Sequence, residues 1–172
     1  LFELKLDCRH YRGDKPCAFN RLCAGCSHYD AWGKKILIIK TAAMGDALRT
    51  TSILPALLNK YPGAKITWVA GEKAEPLLRG NPDIAEIVLM DSGALSKLLP
   101  RKFDIILSLD KTAAECGIAS ILGASEKRGM GLSPEGVPYP LNPEAEYYFS
   151  LGLSDEMKFR KNQKTYIEMI HE

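Results

Sequence analysis

The chain has 172 residues, 46% hydrophobic and 26% charged, with a formal net charge of +2. That length suffices for one domain with a proper core, and the composition is that of an ordinary soluble globule. The small net charge does not point to nucleic acid, and no arginine-rich run or basic–aromatic interleaving suggests it. The longest apolar runs fall far short of the ~20 residues that cross a bilayer. The opening residues, LFELKLDCRH, are charged and alternating rather than a signal peptide. The expected compartment is therefore the cytoplasm. The chain begins with Leu1 and stops at Glu172 inside a helical pattern, so an incomplete chain is also expected.

Residues 1–33 form a cysteine-bearing leader. Cys8, Cys17, Cys23 and Cys26 follow the spacing C-x8-C-x5-C-x2-C, and the glycine of Cys-Ala-Gly-Cys suits a metal knuckle. Four thiolates close a tetrahedral structural zinc site, which stabilises a segment with little core of its own. Zinc is the expectation. A [4Fe–4S] cluster also takes four cysteines, and unligated thiols, or disulfides on export, are the bland readings. His10 and His28 are candidates to replace one ligand, whereas Cys116, in an apolar helix, reads as core.

From Lys34 onward, apolar runs alternate with helical patterns. Strands are predicted at Lys35–Lys40, Lys65–Ala70, Ile84–Met90 and Phe103–Leu109, with a weaker fifth at Glu126–Met130. Helices are predicted at Asp46–Tyr61, Lys73–Gly80, Ser92–Leu99 and Thr112–Leu122. Pro55 should kink or restart the first of these. After Gly131 come a proline-rich loop, a helix at Pro143–Leu151, a polar basic stretch and a helix from Lys164. This alternation predicts an α/β fold, a Rossmann-like doubly wound parallel sheet with a small Cys-rich N-terminal lobe.

The stretch KILIIKTAAMGDALRTTSILPALL carries the most functional information. A buried strand feeds a small-residue turn and a helix start, and in open α/β sheets ligands bind at that carboxyl end. The dinucleotide fingerprint and the P-loop are missing, as is the G-x-S-x-G elbow of hydrolases, and no histidine stands at a strand end. A carboxylate-based mechanism remains. Asp46 is the candidate base, and a first-turn acid favourable at any helix start is the bland alternative. Lys40, Thr41, Met44, Gly45 and Arg49 surround it, and Asp110 and Lys111 follow the fourth strand at the same sheet edge. The cations suit acceptor phosphates or acidic sugars; solvated surface charge is the plain reading. Asp110 reads as a second acid in the cleft or as an N-cap for the helix after it, and the cap is the expectation.

The body, residues 34–172, resembles glycosyltransferase family 9, the heptosyltransferase-like enzymes of bacterial surface-polysaccharide synthesis. The resemblance rests on the stretch above with its Met-Gly-Asp turn, on KYPGAKITWVAGEKAEPLLRGNPDIAEIVLM with its Gly-Asn-Pro-Asp loop, and on FDIILSLD and SEKRGMGL. It implies the acceptor-binding, N-terminal half of an inverting GT-B enzyme. It also implies a nucleotide-sugar donor such as ADP-heptose, held by a C-terminal half not in this chain, and no catalytic metal. The acceptor implied is a lipopolysaccharide or other surface glycan or glycolipid, with peripheral contact at the inner membrane. Asp46 matches the family's proposed general base. Asp110-Lys111-Thr112 departs from the Gln or His with Gly often found there, which leaves a heptose acceptor unassigned. The rival reading is a non-catalytic Rossmann-like sugar- or nucleotide-binding or interaction module with a zinc lobe.

Overall fold

The computed structural model describes residues 3–172. The chain divides into two compact units, residues 1–33 and 34–172. Backbone turns dominate the first unit, where an isolated antiparallel bridge pairs Cys8 with Ala31.

The second unit is built on six strands: β1 (Lys35–Ile39), β2 (Lys65–Ala70), β3 (Glu86–Leu89), β4 (Phe103–Ser108), β5 (Ala124–Leu132) and β6 (Pro138–Pro140). Their order in the sheet is β3-β2-β1-β4-β5-β6, parallel except for β6, which runs antiparallel to β5. The helices are α1 (Met44–Thr50), α2 (Leu54–Lys60), α3 (Glu75–Leu78), α4 (Ala94–Leu98), α5 (Ala113–Ile121), α6 (Pro143–Ser150) and α7 (Tyr166–Ile170).

The pleat explains why β1 reads as one unbroken apolar run. Ile36 and Ile38 join a core with Leu54, Trp68 and Leu78. Leu37 and Ile39 join the opposite one, with Leu98, Ile106 and Ile118. Successive side chains point to opposite faces, and both faces are covered, as parallel sheets require. This is the Rossmann-like doubly wound sheet expected from the sequence.

Several boundaries differ from the sequence reading. The single helix expected at 46–61 is broken: a 3-10 turn, Thr51–Ile53, separates α1 from α2, and Pro55 sits in the first turn of α2. Proline is tolerated there because the N–H it lacks would have no intrahelical partner. α3 and α4 are only short, and β3 starts at Glu86 rather than Ile84. The proline-rich segment contains β6, and Met157–Lys161 forms a π-helical turn. β5 is longer than predicted because it pairs with β4 from Ala124 onward and its last residues, through Leu132, pair with β6; Gly129 within it has φ +94°. A Cβ on Gly129 would lie 1.9 Å from the Ser108 carbonyl oxygen, so only glycine admits this approach of β5 to β4.

Candidate functional site at the carboxyl ends of β1 and β4

β1 lies between β2 and β4, and the chain turns outward in opposite directions from this pair. The crevice at the carboxyl ends of such strands is where doubly wound sheets take their ligands. Lys40, Thr41 and Asp110 all emerge here, one or two residues beyond β1 and β4.

The acid expected as a helix cap has another task. Thr112 is the N-cap residue of α5, with no side-chain capping bond. Asp110 instead turns back across the crevice. Its Oδ1 accepts from Lys40 Nζ at 2.5 Å, and its Oδ2 from the Thr41 backbone N–H at 2.5 Å and from Thr41 Oγ1 at 3.0 Å. Thr41 Oγ1 also lies 2.6 Å from Glu115 Oε1. Lys40, Asp110 and Glu115 are all buried. The cap reading fails because a buried ammonium on the neighbouring strand needs a counter-charge more than an exposed helix end needs a cap. Lys40 and Thr41, expected to face substrate, are therefore committed to the fold.

Asp46 contrasts with this. It lies in the first turn of α1, its side chain keeps 31% of its exposure, and it pairs with the Arg49 guanidinium one turn on. Gly45 beside it has open space where a Cβ would stand, and Met44 is half exposed. The turn is thus the open part of the crevice and the β4 end its closed part.

Two tyrosines that sequence reading missed complete the site. Tyr166 of α7 shares a hydrogen bond of 2.7 Å with Thr50 Oγ1, and the Arg49 guanidinium lies 5.2 Å from its ring centre. Tyr148 of α6 meets Tyr166 edge-on, with ring centres 6.0 Å apart. Burial, followed by the negative charge of Asp46 and Asp110, raises the Tyr148 phenol above its ordinary value. For Tyr166, burial outweighs the lowering bond to Thr50, so it too is raised. Both phenols therefore stay protonated at neutral pH. Lys111 stands over the Tyr148 ring at 3.7 Å and donates to the Tyr148 carbonyl at 2.5 Å. Burial, then the charges of Lys158 and Lys40, push its ammonium down to about 8. Glu115, Tyr148 and Tyr166 lie 74 to 125 positions from Thr41 in sequence, so no local pattern announces them.

A cavity of about 80 Å³ adjoins the β4 end, lined by Ser108, Gly129, Asn142 and Tyr148 among others. Asn142 Oδ1 accepts from the Gly129 N–H at 2.6 Å, while the buried Ser108 hydroxyl has no protein partner.

In the first unit, Cys8, Cys17, Cys23 and Cys26 are free thiols lining one cavity. Among the described residues, no three His, Cys, Asp or Glu side chains gather closely enough to hold an ion. Nor, among them, is any helix long and apolar enough to cross a membrane.

No family model matches the chain, and no curated protein does. Solved structures do. A family 9 glycosyl transferase from Veillonella parvula aligns at 25% identity and a TM-score of 0.51, over 57% of this chain and 32% of that one. The E. coli heptosyltransferase WaaC with ADP aligns at 18% identity and a TM-score of 0.51, over 80% of this chain and 44% of that one. WaaC with ADP-2-deoxy-2-fluoro heptose gives 16% identity and a TM-score of 0.52, with coverage of 80% and 46%. At these identities the WaaC structures speak for the fold alone. The chain spans less than half the length of the proteins it matches, and it resembles a glycosyltransferase of family 9 in both fold and sequence.

Proposed function

We propose that the body is the acceptor-binding half of an inverting GT-B glycosyltransferase, with Asp46 as the general base. The observation that carries this is the division of labour between the two acids of the crevice. Asp110 is enclosed by Lys40 and Thr41, whereas the Asp46 carboxylate remains open at the mouth of the crevice. The likeness to a family 9 transferase and to heptosyltransferase structures supports the same reading.

In this mechanism an acceptor hydroxyl enters beside Gly45 and Met44, where nothing obstructs it. Its oxygen attacks the anomeric carbon of a nucleotide-diphosphate sugar from the face opposite the leaving group. Asp46 takes the hydroxyl proton as the new C–O bond forms. The old C–O bond breaks, and its electron pair leaves with the diphosphate. Arg49, paired with Asp46 and set against Tyr166, fixes the carboxylate's direction. Lys111 is the cation for an acceptor phosphate or acidic sugar. The donor is a nucleotide sugar of the ADP-heptose kind, held by a second Rossmann-like half; the acceptor is a surface glycan or glycolipid met at the cytoplasmic side of a membrane.

Asp46→Asn in the full-length transferase tests the reading. The isosteric amide should preserve acceptor binding and lower kcat by about 10²–10⁴-fold, the usual worth of a positioned base. Stability should scarcely change, because an exposed pair such as Asp46–Arg49 contributes little. Turnover within a fewfold of wild type would make Asp46 a structural residue and favour a non-catalytic sugar- or nucleotide-binding module.

A further inference from the structure

Residues 3–33 make a compact unit with no buried side chain. Segments below about 40 residues rarely hold together without disulfides, a metal or association, and every cysteine here is free. The unit instead holds a cavity of about 300 Å³, partly open to solvent and lined by Cys8, Cys17, Cys23, Cys26, His10 and His28 among others.

The backbone is shaped around that space. Three of the four cysteines open tight turns: the Tyr11 N–H donates to the Cys8 carbonyl at 3.0 Å, Asn20 to Cys17 at 2.9 Å, and Cys26 to Cys23 at 3.2 Å. Gly25, with φ +63°, supplies the left-handed residue that brings Cys26 round beside Cys23. The bridge between Cys8 and Ala31, with the Arg9–Asp30 ion pair at 2.7 Å, closes the two ends of the unit together. Phe19 stacks on His28 at 3.9 Å and meets His10 edge-on at 4.9 Å, and all three rings line the cavity.

Size decides what belongs there. Zinc bonds sulfur at about 2.3 Å, so a tetrahedral site draws four sulfurs to within about 3.8 Å of one another and leaves no void among them. Here no three ligating side chains among the described residues converge on one ion, and the void is about ten times a water molecule's share of liquid volume. A polynuclear core fits this arrangement, and four separate thiolates are the ligand set of a cubane.

We propose that Cys8, Cys17, Cys23 and Cys26 ligate a [4Fe–4S] cluster that serves as the core of this unit. Each thiol loses its proton, and each thiolate gives an electron pair to one iron of a preassembled [4Fe–4S] core. No electron changes hands in this step. Lys15 and Arg21, also at the cavity, offset the negative charge of the ligated cluster. This inference stands apart from the transferase reading and survives its failure.

The test is metal and sulfide analysis of the whole chain purified without oxygen. About four irons and four acid-labile sulfides per chain, with broad visible absorption from sulfide-to-iron charge transfer, are expected. Cys23→Ser should lower the iron content severalfold, while Cys116→Ala, altering the buried cysteine of the other unit, should leave it unchanged. One zinc per chain without sulfide would overturn the proposal. So would two irons with two sulfides, or four freely titrating thiols without metal.

Discussion

The ammonium of Lys40 lies 2.5 Å from Asp110 Oδ1, and both side chains are buried at the ends of neighbouring strands. The pair ties β1 to β4 at the point where the sheet's connections diverge. The Thr41 bonds to Asp110 extend the tie to the turn that carries Asp46. Asp46 is thus held in place through a contact between residues 70 positions apart in sequence.

Asp110→Asn leaves the Lys40 charge buried without a counter-charge. Breaking one side of such a pair typically costs about 3–5 kcal/mol. Urea unfolding should show the midpoint falling with an unchanged slope. A double variant, Lys40→Met with Asp110→Asn, should recover much of the loss, because the orphaned charge is then gone. Equal losses in both variants would show that the bonds to Thr41, rather than the ion pair, hold the site.

Lys111 offers a test by pH. Its folded-state pKa, about 8, lies below the ordinary 10.5 because of burial and neighbouring cations. Between those values the unfolded chain binds more protons than the folded one, so stability should rise with pH from about 8 to about 10.5. Lys111→Met should remove that part of the slope. Binding of a phosphorylated acceptor should weaken over the same rise as the ammonium discharges. Nitrogen-detected NMR of the Lys111 side chain should place its midpoint near 8, and a midpoint near 10.5 would show that the ammonium is solvated.

Gly129→Ala is expected to be poorly tolerated. Its positive φ disfavours any side chain, and the added Cβ would collide with the Ser108 carbonyl. Strain of this kind costs about 1–3 kcal/mol before the collision is counted. The variant should melt well below wild type, whereas Gly123→Ala, where a Cβ meets open space, should behave almost normally. Similar melting temperatures for both would show that the β4–β5 approach relaxes freely.

The fold was legible because the strands carry it locally. Lys35–Ile39, Lys65–Ala70 and Phe103–Ser108 are apolar on both faces, and short helices fall between them. β6 escaped because prolines argue against strands in general, and only an edge position permits them. At the site, the turn from Lys40 to Arg49 could be read as a ligand-facing element, since strand, small-residue turn and helix start are contiguous. The roles within it could not. Whether Asp110 caps a helix or neutralises Lys40 depends on a strand pairing that only the folded sheet defines. Tyr148 and Tyr166 reach the crevice from elements that begin more than 90 residues after Arg49.

The β6 edge carries one more consequence. Leu141 donates its N–H to Gly129, and the Val137 carbonyl accepts from Ser133, so the odd-numbered residues here turn their backbone groups toward β5. Strand alternation then points Pro138 and Pro140 outward. Neither has an N–H to offer, so the last strand of the sheet ends in a margin with two donor positions missing. An incoming strand from another molecule finds no complete ladder to join. The three residues Pro-Tyr-Pro therefore guard this margin against the edge-to-edge aggregation to which open sheets are exposed.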